Sequence, residues 1–338
     1  MKSTAVLWQL VQRHEKPKLS QIAAGFNSSA PFPHLIIDDF FTEEFMARLQ
    51  REFPAHDDDY IRFCRQDGGE IGTNYANNEI ASFPPAYKEL DALVASKAFR
   101  DYVSAFTGIP DLEYDPDYFG GGIRESVDGF LPPHLDFNYH PRTKSYRRLN
   151  LLFYFNDDWN AEWGGNLQVH KDPNVHTLDS LVSSYLPIRN RCLAFETSEI
   201  SWHGFDRLQL PAGRSRRAFT IYYYTKTRPN AETIKFHNTE YVELPLPGHM
   251  QEGHELTAKD VEFLKEAILR RDQRIRMLYD LRAEADSKYL HVWSEYEYYL
   301  NLSKKLAQDL TGTQVIRVLG RRALGRIKRA LTGGEQAT

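Results

Sequence analysis

The sequence predicts an α+β fold: a jelly-roll core of short strands, with supporting helices before it and a helical extension after it. Three observations predict it. From about residue 112 to 225 the chain is a series of short apolar and aromatic runs punctuated by Gly, Pro and Asn-Asp, the pattern of a sandwich or jelly roll. Before it, apolar residues recur at helical spacing in 43–53 and 87–106. After it, helical periodicity runs, with breaks, from about 258 to 331. The resulting division is 1–110 for an N-terminal strand and supporting helices, 111–230 for the core, and 231–338 for the extension.

Composition narrows the class. A chain of 338 residues can bury a full core, and 19 Tyr and 20 Phe argue for an ordered chain rather than disorder. A net charge of -4 provides no global attraction to nucleic acid. Cys64 and Cys192 are the only cysteines, too few for a disulfide framework or a cysteine-rich zinc site, so a reducing, cytoplasmic setting is expected. No stretch reaches the ~18 apolar residues of a membrane span.

In chain order, residues 1–30 read as a short helix and a polar loop, and Pro31–Phe40 as a strand. Thr42 is placed to cap the helix 43–53, which has acids in its first turn. The Gly-rich segment 57–80 reads as a loop that could serve as a lid. Tyr87–Phe106 reads as one helix, and Asp128-Gly129 as the turn of a hairpin. Strands are expected near 148–155, 166–170, 191–196, 200–205 and 216–225. Thr257 and Asp260 resemble a capping box opening the C-terminal helices.

The chemistry concentrates in 131–225. On a strand, residues two apart share a face, so His134 and Asp136 can address one ion, with His203 supplied from downstream. Two histidines and one carboxylate are the facial triad of non-heme iron oxygenases. His140, His170 and His176 compete for the third position; His203 is preferred because Trp202 and Phe205 set it in an apolar segment. In the last strand, Arg216, Ala218, Thr220, Tyr222 and Tyr224 share a face. A guanidinium turned into a barrel needs an anion, and a dicarboxylate would satisfy it through paired hydrogen bonds.

The motif order, Pro133-His134-Leu135-Asp136, Arg147 to Asn156, Trp163-Gly164-Gly165, His203-Gly204 and Arg216 to Thr225, resembles the Fe(II)/2-oxoglutarate-dependent dioxygenases, in particular their prolyl-4-hydroxylase-like bacterial group. The resemblance covers roughly 31–228. It implies a double-stranded β-helix core, Fe(II) held by His134, Asp136 and His203, and 2-oxoglutarate and O2 as cosubstrates. It further implies that Arg216 pairs with the distal carboxylate of 2-oxoglutarate, with Tyr154 and Asn150 in the same pocket. Two departures stand out: Ala218 replaces a frequent serine, and Arg216 lies thirteen residues after His203, which leaves Arg214 as a fallback anchor. The implied reaction is hydroxylation of an unactivated C–H in a prolyl, amino-acid, peptide or glycan-type substrate, with 2-oxoglutarate leaving as succinate. Arg124, Asn138, Tyr139 and Arg147 flank the metal motif and are candidates for substrate contact. The rival class is a non-catalytic metal-binding jelly roll that recognises a ligand.

Outside the resemblance, 258–310 reads as helix that packs on the core or on a second subunit, giving a homodimer. Between 313 and 331, six cations and no acids surround a narrow apolar stripe. That pattern suits an anionic membrane surface, at the inner face of the membrane, or an acidic partner.

Overall fold

A computed structural model describes residues 7–12, 16–54, 62–63, 72–173, 180–229, 234–242 and 246–309. The chain forms two compact units, Met1–Leu269 and Arg270–Thr338. The basic stretch 313–331 and His176 lie outside the described residues.

The strands, in order, are β1 (His34–Ile37), β2 (Arg62–Phe63), β3 (Asn74–Asn77), β4 (Glu113–Tyr114), β5 (Gly122–Ser126), β6 (Leu131–Leu135) and β7 (Tyr139–His140). They continue with β8 (Ser145–Tyr154), β9 (Leu167–His170), β10 (Leu181–Tyr185), β11 (Cys192–Glu196), β12 (His203–Phe205), β13 (Arg216–Thr225) and β14 (Glu240–Tyr241). Among the described residues, one antiparallel sheet runs β1-β11-β8-β13-β5-β3-β2, with β4 on β13 and β7 on β8. The second runs β10-β9-β12-β6-β14.

Period-two patterning explains how the larger sheet is covered on both faces. Leu149, Leu151 and Phe153 of β8, with Phe219, Ile221 and Tyr223 of β13, join Phe45, Tyr87, Leu90, Phe99 and Val103 of the N-terminal helices in one buried cluster. The other face gives Tyr154, Leu193, Phe195 and Ala218, which pack with Leu167 and Val169 of β9 in the second sheet. Each fully buried large apolar side chain contributes about 1.5–3 kcal/mol, so these two layers fix the sheets before any polar group is counted.

The helices follow their caps. Thr42 stands extended at the start of the helix Glu43–Arg51 but makes no side-chain capping bond, and the first turn carries Glu43 and Glu44. The single helix expected over 87–106 is two, Pro85–Ala95 and Lys97–Thr107. Ser96 is extended there, and its hydroxyl accepts the Phe99 N–H, capping the second helix; Gly108, in the left-handed region, ends it. Thr257 and Asp260 form the expected reciprocal cap of the helix Ala258–Asp309.

Three other expectations are corrected. The stretch read as loop over 57–80 contains β3, paired with β5, and the short β2. Asp128-Gly129 does not close a hairpin: β5 belongs to the larger sheet and β6 to the smaller. The turn carries the chain between them, and Asp128 accepts the Thr73 N–H and hydroxyl. The segment 231–338, assigned to the helical extension, also contributes the strand β14 to the edge of β6. From Arg271 to Lys305 the C-terminal helix carries exposed side chains, with only Arg274 and Met277 half-buried.

Candidate active site

The two candidate ligand histidines meet because β12 pairs with β6 in a register that sets His203 opposite His134. Their rings lie 4.2 Å apart. Close approach of the strands depends on Gly204, since a Cβ there would stand 2.4 Å from the Leu131 carbonyl oxygen. Asp136 follows one residue after β6 ends. Its Oδ1 lies 3.6 Å from His134 Nε2 and its Oδ2 3.6 Å from His203 Nε2.

Each ring is oriented from behind. His134 Nδ1 contacts the Pro132 carbonyl at 3.0 Å, and His203 Nδ1 the Ser201 carbonyl at 2.8 Å. Donating Nδ1–H to these oxygens leaves the Nε2 lone pairs for an ion. Burial, reinforced by neighbouring His134, pushes the His203 imidazole down to about 3, so it is neutral at neutral pH. The donor set of two imidazole nitrogens and a carboxylate oxygen, all within 4.8 Å of one another, fits Fe(II) with open positions.

The carboxylate is held by more than the ion site. Arg147 donates through Nη2 to Asp136 Oδ2 at 2.8 Å, and Asn150 Nδ2 donates to the same oxygen at 2.7 Å. Arg147 Nε also donates to Asn150 Oδ1. The guanidinium lies 3.4 Å from the Tyr222 ring centroid and 4.5 Å from that of Phe137. Burial alone would raise the Asp136 carboxyl, but Arg147, then His203 and His134, outweigh it and hold it well below the usual range.

A β-bulge aims Arg147 inward. Tyr223 pairs with Leu149 and Tyr224 with Arg147, so Arg148 is the extra residue. Strict alternation would put Arg147 and Asn150 on opposite faces; the bulge brings both to the cavity.

That cavity, about 430 Å³, contains His134, Asp136 and His203 in its wall and Arg216 at another point of it. Arg216 is buried and donates through Nε to the Gly165 carbonyl at 2.8 Å and through Nη2 to Tyr154 Oη at 3.1 Å. Its guanidinium sits 4.4 Å from the Phe205 ring centroid. Gly165 adopts a φ of 71°, and a Cβ there would press on Leu208 and the Arg216 stem. The Gly-Gly pair is therefore what lets the arginine lie flat at this point. Among the described residues, no carboxylate pairs with Arg216. Arg214 instead sits over Trp163 and bonds the Asp157 carbonyl, and Arg217 pairs with Glu125 on the opposite face.

The other sequence candidates divide. Arg124 lines the cavity. Asn138 is buried and donates to the Lys235 carbonyl and Glu199, tying down the chain before β14. Tyr139 packs on Phe236 and Tyr146. Neither Asn138 nor Tyr139 is among the cavity's lining residues. His170, the rival third ligand, sits in β9 and bonds Ser180 through Nδ1, while His140 packs between Phe119 and Tyr224. Sequence reasoning missed Tyr241, whose ring stacks on His134 at 5.3 Å, and Thr239, Phe195 and Tyr222 of the lining. Only Tyr222 had a signal, its place on the Arg216 face of β13.

Comparison with known proteins agrees with this geometry. Residues 122–224 match the 2OG-Fe(II) oxygenase superfamily. That segment holds His134, Asp136, His203 and Arg216. The chain is 24% identical to the mouse prolyl 3-hydroxylase OGFOD1 over 257 residues, 73% of this chain but only 41% of that relative's length. Among solved structures it is similar to a Pseudomonas putida prolyl-4-hydroxylase (18% identity, 61% of this chain and 99% of that one, TM-score 0.42). A second is a Trichoplax adhaerens prolyl hydroxylase in complex with a hypoxia inducible factor peptide fragment (16% identity, 63% and 94%, TM-score 0.45).

Proposed function

We propose that this chain is an Fe(II)/2-oxoglutarate-dependent dioxygenase that hydroxylates a C–H of a prolyl, amino-acid, peptide or glycan-type substrate, and that its two sheets are the faces of a double-stranded β-helix. The observation that carries it is the pairing, in one cavity, of the His134–Asp136–His203 set with a buried arginine that makes no salt bridge among the described residues. A buried guanidinium in that state is costly unless an anion meets it, and a dicarboxylate bound at both ends would satisfy iron and arginine together. A module that only recognised a ligand through its metal would not need this second anchor.

Iron bound here would supply O2 activation coupled to decarboxylation of 2-oxoglutarate to succinate. The protein's own contributions follow from its contacts. Arg147 and Asn150 occupy Asp136 Oδ2 and fix the carboxylate's orientation. Arg216, oriented from behind by Tyr154, receives the distal carboxylate. Phe195, Phe205, Leu152 and Leu167 keep water from the space between. Arg124 and Tyr241 stand at the lining as contacts for substrate. The name of the mouse relative favours a prolyl residue in a peptide over the other substrate types.

The test is anaerobic titration of the purified chain with Fe(II) and then 2-oxoglutarate. The expected result is a visible metal-to-ligand charge-transfer band, lost in Asp136→Ala. Folded, iron-loaded protein without that band would sink the assignment. A succinate-release screen over prolyl peptides, free amino acids and glycans, read by added oxygen mass, then identifies the substrate.

A further inference from the structure

The 52-residue helix Ala258–Asp309 extends about 78 Å at 1.5 Å per residue, and from Ile275 onward it exposes large apolar side chains. Ile275 is 49% exposed, Leu278 55%, Tyr289 63%, Val292 63% and Tyr296 56%. These residues are not scattered. With Ile275 as heptad position a, positions a and d from 271 to 296 read Arg271, Ile275, Leu278, Arg282, Ala285, Tyr289, Val292, Tyr296. Position f reads Gln273, Asp280, Ser287 and Ser294, polar throughout. A seam of this period, with a polar column opposite, is the pattern of a coiled coil; a solitary surface helix has no use for it.

We propose that residues 271–296 pair with the same residues of a second copy of this chain as an antiparallel coiled coil. The two arginines in the seam decide both partner and direction. Parallel, in-register pairing would set Arg271 against Arg271 of the partner subunit, and Arg282 against Arg282 of the partner subunit. Antiparallel pairing sets each a residue against a d residue. In one such register Arg282 faces Ala285 of the partner subunit, the smallest side chain in the seam. Its charge is already met by Asp286 at 3.0 Å on its own helix, so only its aliphatic stem has to cross. The same register lays Arg271 over the ring of Tyr296 of the partner subunit, a cation–π contact. It also joins Ile275 to Val292 of the partner subunit and Leu278 to Tyr289 of the partner subunit. Each of the four pairs occurs twice about the dyad, the self-complementarity that a two-fold interface requires. An unrelated partner would have no reason to match that spacing.

The experiment is sedimentation equilibrium of the full-length chain at low to tens of micromolar concentration. The expected mass is that of two 39.2 kDa chains. The double variant Leu278→Asp/Val292→Asp should sediment as a monomer with its far-ultraviolet circular dichroism and iron binding retained, while Ser287→Asp on the polar column should stay dimeric. Direction is read by oxidising a mixture of Ile275→Cys and Val292→Cys chains in a Cys64→Ser background: the mixed disulfide should dominate. A monomer at tens of micromolar overturns the proposal. So does a dimer that survives the double variant, or cross-linking of each cysteine variant to itself, the mark of parallel pairing.

Discussion

Arg216 and Arg147 are both buried beside the cavity, yet they are satisfied in opposite ways. Arg147 has Asp136 as its direct counter-charge; among the described residues Arg216 donates to a carbonyl and a phenol and feels Asp206 without a salt bridge. The difference predicts their phenotypes. Arg216→Ala should raise the apparent 2-oxoglutarate requirement far more than the iron requirement. Losing a buried charged partner costs about 3–5 kcal/mol, or more than about a hundredfold in affinity. Arg216→Lys should recover only part, because an ammonium cannot present two parallel donors. Measured saturation curves for 2-oxoglutarate and Fe(II) separate the two effects; equal rises in both would show that Arg216 is not the anchor. The His-x-Asp pair and Arg216 were legible because period-two geometry and residue chemistry suffice to nominate them. The grip of Arg147 and Asn150 on Asp136 was not, since it depends on a bulge at Arg148 that no local pattern announces.

The strand pair β6–β12 is the element on which the triad depends. Gly204 lies between the histidine partners and the Leu131 carbonyl, so Gly204→Ala should push β12 away from β6 and displace His203 by a few tenths of an ångström or more. Iron affinity should fall markedly while 2-oxoglutarate still recognises Arg216; isothermal titration with each component would show it, and unchanged iron affinity would contradict the close packing. Most longer strands could be read from the sequence, since β8, β11 and β13 are runs of apolar and aromatic residues buried on both faces. The short strand β14 could not. Two residues in a polar stretch carry no period, and Tyr241 reaches His134 only through long-range pairing. The break at Ser96 was hidden for a different reason: its neighbours keep helical spacing across it, and the cap is a single hydroxyl.

At the scale of the whole chain, buried histidines tie stability to pH. Burial, then the His134 charge, pushes the His170 imidazole down to about 4, against about 6.5 when unfolded. The folded state therefore binds its proton less readily than the unfolded state. Its contribution is fully present above about 6.5 and is lost as pH falls through that window toward 4. His203, pushed down to about 3, acts in the same direction over a wider window. The metal-free chain should lose thermal stability steadily from pH 6.5 to 4, and His170→Gln should flatten part of that slope. A melting temperature that does not change over this range would mean neither ring is sequestered. The two-layer α+β architecture was visible from composition and periodicity. The division at Leu269 was not, because helical periodicity runs through it without interruption.

The clamp on Asp136 has a consequence for chemistry the wild-type chain does not perform. Arg147 and Asn150 aim three N–H donors into one small space, two of them at a single carboxylate oxygen. Asp136→Ala would shorten the side chain but leave that cluster of positive charge facing the ion. The variant becomes a receptor for a small exogenous anion. Formate or chloride added to Asp136→Ala should restore a measurable part of its Fe(II) affinity. The same anions should do nothing for Asp136→Ala/Arg147→Met, where the receptor has lost its charge.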